Sequence, residues 1–527
     1  MIHARALSRR GGLLVLAAVA ACFEGRWIEG QPCARDEDCE PPASIIPHAP
    51  ALRCEAGYCG GAPSCRVDAD CRELLGISWV CSDEACRKAP VFERCSYAYP
   101  EDLLEHPERY KDITLIGSLL DQSNGGIGDA VLVNSATVAL DEARSVGIDG
   151  VTLGIVHCNY QDGDGIDNLD PEAAAAEGAR YLADTLGAVA IIGPGTSALA
   201  EHVYETLCER GDDPQAPCAR DVLVISPSAT SVQLTEIDGP SISDASPGRF
   251  WRTVADDSRM GAVMAMDLQA RGKARLAILA EDSSYGQGIA DSLRAALGPT
   301  SLALQRTFAT DDELKEQLDE VADLQVDEIV FITSETQRVI HFYQSVAVMD
   351  ALASVSFMLT DTASEPAILI SAEPSLLALG DRVRGVRPAA AAGLAYDTFL
   401  ATYSARFPGE DASLALYAPH TYDATWLTIY GIVWAHLHEP TLGGRALARG
   451  LRRVSDHVSG LQIVVRGDNF STLQLNFAEG NPVDITGASG PLDYDPATEE
   501  VRGAIELWVV STDGGAPSLE IVERFDP

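Results

Sequence analysis

The sequence predicts an α/β protein of two lobes, each a mostly parallel sheet flanked by helices, preceded by a disulfide-rich N-terminal module. Three observations carry this. From about residue 110 short apolar runs alternate with amphipathic helical segments, the pattern of repeated β-α-β units. About ten such strands in some 280 residues exceed one comfortable core, which argues for two lobes. Eight of the 13 cysteines crowd into the short stretch from Cys33 to Cys86.

The N-terminus reads as an export address. Arg5, Arg9 and Arg10 precede an apolar run from Leu13 to Ala21, ending in Val19-Ala20-Ala21-Cys22. A basic region, a short apolar region and small residues before a cut describe a signal peptide over 1–21. The run is shorter than the roughly 20 apolar residues that span a bilayer. Its ending resembles the bacterial lipobox, which implies cleavage before Cys22 and a diacylglycerol on its thiol; an ordinary signal peptide that contains a Cys is the plain alternative. Residues 22–32 then form an anchored linker. With no second long apolar segment, the expectation is an exported lipoprotein, anchored to a membrane and facing the periplasm or cell surface.

Cysteine usage agrees with export. Setting Cys22 aside leaves an even number, suited to disulfides in an oxidising compartment. Cys33-x5-Cys39-x14-Cys54-x4-Cys59 is followed by Cys65-x5-Cys71-x9-Cys81-x4-Cys86, so residues 33–95 look like a duplicated small module. Such units are too small for a hydrophobic core, and cross-links would supply the order. Zinc is the weaker reading, because the C-x2-C knuckle spacing is absent. Cys208 and Cys218 flank a Gly/Asp/Pro-rich insertion and most simply close it. Cys95 and Cys158 remain for each other by elimination, although spacing alone does not fix connectivity.

The alternation then runs in order. Strands are expected at Ile113–Gly117, Val151–Val156, Val189–Ile192 and Val222–Ile225, with helices at Ala130–Arg144, Pro171–Leu186 and Ala198–Arg210 between them. After Arg252 come strands at Leu276–Ala280, Leu302–Phe308, Glu328–Ile332 and Ser356–Leu359, separated by helices at 258–271, 287–297, 312–323 and 336–349. The tail departs from this pattern. Helices are expected near 394–407, 417–437 and 443–454, then β-rich segments at Gln462–Val465, Leu473–Phe477 and Ala504–Val510, the last as a half-exposed sheet edge. The lobes are therefore drawn as 110–254 and 389–455 for the first, 255–388 and 456–527 for the second.

In such sheets ligands sit at the strand C-termini, where the topology switches. Four of these ends carry polar clusters: Gly193-Pro194-Gly195-Thr196-Ser197, Ser226-Pro227-Ser228-Ala229-Thr230, Glu281-Asp282-Ser283-Ser284-Tyr285-Gly286, and Thr360-Asp361. Singly, each reads as a helix cap. Four at equivalent positions read as a site, because glycines allow close backbone approach and helix starts offer N–H groups to an anion.

Those clusters, with Phe250-Trp251-Arg252-Thr253-Val254-Ala255-Asp256-Asp257, Tyr422-Asp423-Ala424 and Gly487-x-x-Gly490-Pro491-Leu492-Asp493-Tyr494-Asp495, occur in an order that resembles the type I periplasmic ligand-binding fold. The resemblance is to its leucine/isoleucine/valine-binding branch, a fold shared with receptor ligand-binding regions, and it covers roughly 112–512. It implies a two-lobed clamp on a three-strand hinge. It further implies that Ser197 and the stretch Ser228, Ala229 and Thr230 hold an amino acid's α-carboxylate, that Tyr285 closes over the ligand, and that Asp361 or Asp257 pairs its ammonium. Donors on one wall and carboxylates on the other suit a zwitterion independently of the resemblance.

The implied function is a non-enzymatic, lipid-anchored solute-binding protein that delivers an amino acid or similar small polar ligand to an ABC permease. A sensory receptor with the same clamp, or a structural surface lipoprotein with a degenerate cleft, are the alternatives. No Gly-x-Ser-x-Gly elbow, His-Glu-x-x-His or Walker A loop is present. His436-Leu437-His438 has the wrong spacing to share a helix face. Neither cofactor nor metal is expected; the acidic loop 162–167 does not match an EF-hand and reads as a solvated turn. A net charge of −40 repels polyphosphate and excludes nucleic acid as a partner.

Overall fold

A computed structural model describes residues 33–39, 53–55, 58–61, 63–122, 129–161, 167–210, 218–239, 242–298 and 302–526. The signal peptide, Cys22, the acidic loop except Asp167, and the Gly211–Pro214 insertion lie outside the described residues. No described helix is long and apolar enough to cross a membrane.

The chain divides into two compact units. The first holds the residues up to Val91 together with Leu103–Asp112. Its order comes from four disulfides, Cys33–Cys54, Cys39–Cys59, Cys65–Cys81 and Cys71–Cys86. Both repeats thus join their first cysteine to the third and their second to the fourth. The apolar cluster around the disulfides is slight, Leu75 with an edge-to-face pair of Tyr58 and Trp79, 5.2 Å between centroids. A core this small needs covalent help.

The second unit, Phe92–Asp102 with Ile113–Pro527, contains both lobes. Its first sheet comprises β1 (Tyr97–Tyr99), β2 (Ile113–Leu119), β3 (Thr152–Cys158), β4 (Ala190–Ile192), β5 (Leu223–Ser226) and β6 (Phe250–Arg252), in the order β6-β5-β4-β2-β3-β1. All neighbours are parallel except β1 against β3. Helices α1 (Asp129–Val146), α2 (Pro171–Arg180) and α3 (Ser197–Cys208) make the crossovers. The second sheet has β7 (Leu276–Glu281), β8 (Leu302–Phe308), β9 (Glu328–Ile332), β10 (Ser356–Leu359) and β11 (Val383–Pro388), connected by α4 (Met260–Ala270), α5 (Ser284–Leu297), α6 (Asp311–Ala322) and α7 (Thr336–Val348). Cys95–Cys158 and Cys208–Cys218 are bonded within this unit.

After β11 the chain returns to the first lobe with α8 (Leu394–Arg406), α9 (Ala418–His438) and α10 (Gly444–Leu451). Helix α9 is predominantly apolar and buried on every side from Ala418 to Ala435. Next come β12 (Leu461–Val464), α11 (Gly467–Ala478) and β13 (Val483–Thr486), then β14 (Ile505–Ser511) and β15 (Ser518–Phe525). The second sheet is therefore ordered β8-β7-β9-β10-β11-β14-β15, with β14 and β15 antiparallel additions.

Three expectations for the tail are corrected. Leu473–Phe477 is helical: Phe470, Leu473 and Phe477 share a buried face, whereas Leu475, which gave the segment its strand-like alternation, is 69% exposed. The 504–510 segment is not an edge. Strand β14 is paired on both sides, and β15, unforeseen, forms the edge. Residues 456–501 pack into the first lobe's core through Ile463, Phe470, Ile485 and Leu492, so the chain re-enters the second lobe at Ile505 rather than at 456.

Two late motifs prove to be partners. The buried Asp423 carboxylate accepts from the Ala488 N–H at 2.9 Å, the Ser489 N–H at 2.7 Å and the Ser489 hydroxyl at 2.6 Å. Gly487 lies so close that a Cβ would meet Asp423 Oδ2 at 2.1 Å. Gly487→Ala is expected to destabilise the protein by about 1–3 kcal/mol through overpacking, measured by denaturant unfolding.

Candidate functional site

Both sheets reverse their strand order at one place, between β2 and β4 in the first and between β7 and β9 in the second. Crevices outside the strand C-termini open at such points. A cavity of about 370 Å³ is lined from both, by Asp121, Gly195, Thr196 and Ser197 of one lobe and Tyr285, Ser334, Glu335 and Asp361 of the other. A larger cavity of about 910 Å³ lies along the lobe crossovers, lined by residues such as Ala255, Ala389 and Gly503, and includes none of these strand ends.

The first wall is braced by its own hydroxyls. Gly193 has φ +99°, and a Cβ there would stand 2.1 Å from the Leu119 carbonyl oxygen, so the turn after β4 requires glycine. Ser226 donates to the Pro194 carbonyl at 2.6 Å, and Ser228 donates to that of Gly195 at 2.7 Å. The Ala229 N–H is taken by Ser226 Oγ at 3.0 Å. Ser197 Oγ accepts from the Ser231 N–H at 3.0 Å, which leaves its own proton for a ligand at the start of α3. The Thr230 hydroxyl is 1% exposed and has no hydrogen-bond partner.

On the opposite wall Tyr285 opens α5, and Asp361 follows β10. The hydroxyls of Tyr285 and Tyr417 each donate to one oxygen of Asp361. Tyr417 immediately precedes α9, so this bond joins the lobes. The Leu416 N–H to Glu365 at 3.3 Å and the Ser231 hydroxyl to the Ser284 carbonyl at 3.1 Å join them too. Asp257 is 1% exposed, with no hydrogen-bond partner for either oxygen. Burial, and then the neighbouring Asp361, push its carboxyl well above the usual range. Burial likewise raises Tyr285 and Tyr417, reinforced by Asp361, so both stay protonated donors. Burial lifts Glu365 to about 7.

Of the residues expected at the site, Ser197, Ser228, Tyr285 and Asp361 line the cavity, whereas Ala229, Thr230 and Asp257 are buried and absent from its lining. Ser228 and Ala229 have spent their donors on the protein itself, so they brace the wall rather than offer bonds to a carboxylate. Sequence reading missed Asp121, Glu335, Glu365 and Tyr417. The first two follow strands β2 and β9, so the strand-end rule would have found them; Glu365 and Tyr417 carry no such signal. Asp167 of the acidic loop is an ion-pair partner of buried Arg94, 2.9 Å from its Nε. His438 donates from Nε2 to the Phe477 carbonyl, 2.7 Å away, and lies tilted against the Trp434 ring.

Behind the first wall sits Arg252, fully buried. It pairs with Glu500 through two bonds of 2.6 Å and donates to the Ala229 and Ser231 carbonyls at 3.1 and 2.8 Å.

The sequence matches the periplasmic binding protein family over residues 116–479, well over half the chain. No curated protein matches it significantly. Among solved structures, a leucine-binding protein from Thermotoga maritima is 15% identical, with TM-score 0.57 over 79% of this chain and 99% of that one. The branched-chain amino acid binding protein of Streptococcus pneumoniae, solved with isoleucine, is 17% identical with TM-score 0.55, over 79% and 100%. A solute-binding protein from R. palustris, solved with 4-hydroxybenzoate, is 16% identical with TM-score 0.57, over 79% and 97%. These likenesses identify the two-lobed type I fold.

Two outcomes follow from the electrostatics. Arg252→Ala strands Glu500 and two carbonyls, and should cost about 3–5 kcal/mol in equilibrium unfolding. Glu365, raised from 4.5 to about 7, favours the folded state fully below about pH 4.5 and loses that contribution as pH rises to about 7. Relative to Glu365→Gln, wild-type stability should therefore fall by up to about 3 kcal/mol between pH 4.5 and 7.

Proposed function

The chain belongs to the periplasmic binding protein family, whose members bind solutes rather than catalyse reactions, and from that premise we propose that it is a lipid-anchored solute-binding protein. It holds an amino acid or similar amine-bearing solute between its lobes and delivers it to an ABC-type permease. One observation carries the reading. A single cavity has the N-terminus of α3 and Ser197 on one wall and Tyr285 with Asp361 on the other. The α3 N–H groups and the Ser197 proton suit a carboxylate. Asp361 suits an ammonium, because a carboxylate has about four acceptor positions and the two tyrosines use one each.

The solved relatives include holders of isoleucine and of 4-hydroxybenzoate. The cavity lining favours the former class. It carries no Lys, Arg or His among the described residues, so a benzoate would face Asp361 and Glu365 without a counter-ion. Anchoring through Cys22 is supported by the small-small-Cys ending of the apolar run.

The test is calorimetric titration of the processed chain, stripped of carried-over ligand, with a panel of amino acids. Binding of one class, weakened about tenfold or more in Ser197→Ala, is the expected result, since a charge-assisted bond contributes about 1.5–3 kcal/mol. Folded protein that binds none of the panel would instead support a retired cleft.

A further inference from the structure

The cleft holds more carboxyl groups than a simple zwitterion would engage. Among the described residues its lining includes Asp121, Glu335, Asp361 and Glu365 and no basic side chain. Their depth sorts them. Asp361 is 4% exposed, and the buried carboxyl of Asp257, outside the lining, acts electrostatically on it and on Tyr285 and Tyr417. Burial and Asp361 push the Asp257 carboxyl up against the opposing Thr230 and Arg252, and a cation beside Asp361 would favour its ionised form.

Asp121 and Glu335 are only partly buried and come from opposite lobes, the one after β2 and the other after β9. Nearby Glu281 is compensated by Arg338 at 3.0 Å and by Ser334. No hydrogen bond or ion pair reaches the Glu335 carboxylate among the described residues. Burial, then Glu281, with Asp121 adding to it against an opposing Arg338, holds that carboxyl above its ordinary range. Like charges brought from two lobes oppose closure; a cation between them favours it. The same lining includes Leu132, Ala367 and Ala415, apolar surface suited to a methylene chain.

We propose that the cleft takes a ligand with two cationic groups, a dibasic amino acid or a linear diamine, with one ammonium against Asp361 and the other between Asp121 and Glu335. The inference rests on the solute-binding reading above and adds the charge class of the solute. The second cation acts as the bridge that draws the lobes together.

The experiment titrates the ligand-free, full processed chain with four compounds. L-lysine carries both cations and a carboxylate; norleucine is lysine without its terminal ammonium; cadaverine is lysine without its carboxylate; 4-hydroxybenzoate is an anion. Lysine should bind at least about tenfold tighter than norleucine, the worth of one charge-assisted contact. Glu335→Gln should bring the lysine-to-norleucine ratio toward one, and Asp121→Asn should do the same if the two act together. Melting temperatures in the absence of ligand establish that both variants are folded. Cadaverine equal to lysine assigns the site to diamines, and cadaverine much weaker assigns it to dibasic amino acids. Norleucine equal to or tighter than lysine, or a ratio unmoved by both variants, overturns the two-cation proposal while leaving the solute-binding reading intact. Binding of 4-hydroxybenzoate alone overturns it as well, and with it the preference for amine ligands. No binding by any compound overturns both readings.

Discussion

Arg252 spends all five of its N–H donors inside the protein: on both oxygens of Glu500, on the carbonyls of Ala229 and Ser231, and on the Thr235 hydroxyl at 2.8 Å. Its own carbonyl accepts from Tyr494 at 2.8 Å. One residue at the end of β6 thus fixes the backbone of the turn behind Ser197 and ties it to the segment leading into β14. The neighbouring Thr253 hydroxyl reaches the His420 carbonyl at 3.0 Å, adding α9 to the same junction. A buried guanidinium is tolerable only when every donor is matched, so the loop after β5 has little freedom to move without the crossover. The cleft wall and the crossover segments share one hydrogen-bonded junction.

The fold was legible because its signal is periodic and repeated. Strands β2, β3, β7, β8, β9 and β10 fall where runs of buried apolar residues predict them, and their helices begin near the expected caps. Legibility failed where that signal was too short or ambiguous. Strands β1 and β6 are three residues each, and Leu473–Phe477 alternates like a strand while packing like a helix. The crossover at Ile505 was misplaced because an apolar segment shows that it is buried but not which core buries it.

The site was legible in outline for the same reason: strand C-termini at a switch point are where ligands sit, and polar residues there stand out. What the sequence could not show is which donors are already engaged. Ser197 and Ser228 look alike in the chain, yet Ser228 has given its proton to Gly195, whereas Ser197 retains one. Nor could it show that Asp361 is shared between Tyr285 and Tyr417, which come from different lobes and are 132 positions apart. Those contacts make Asp361 a latch between the lobes. In the proposed mode of binding, a solute and the contact between lobes would share one carboxylate.

The interleaved cross-links of the cysteine-rich unit have a consequence for how the protein is made. A chain that crosses a membrane N-terminus first would deliver Cys33 and Cys39 to an oxidising compartment before Cys54 and Cys59. Joining consecutive thiols as they emerge would give Cys33–Cys39, Cys54–Cys59, Cys65–Cys71 and Cys81–Cys86, none of which occurs in the folded unit. Reaching the observed pairing requires either that oxidation wait for each repeat to be complete, or that early bonds be exchanged through mixed disulfides. A host that oxidises thiols quickly but reshuffles them poorly would accumulate covalent isomers of this unit, each of the correct mass.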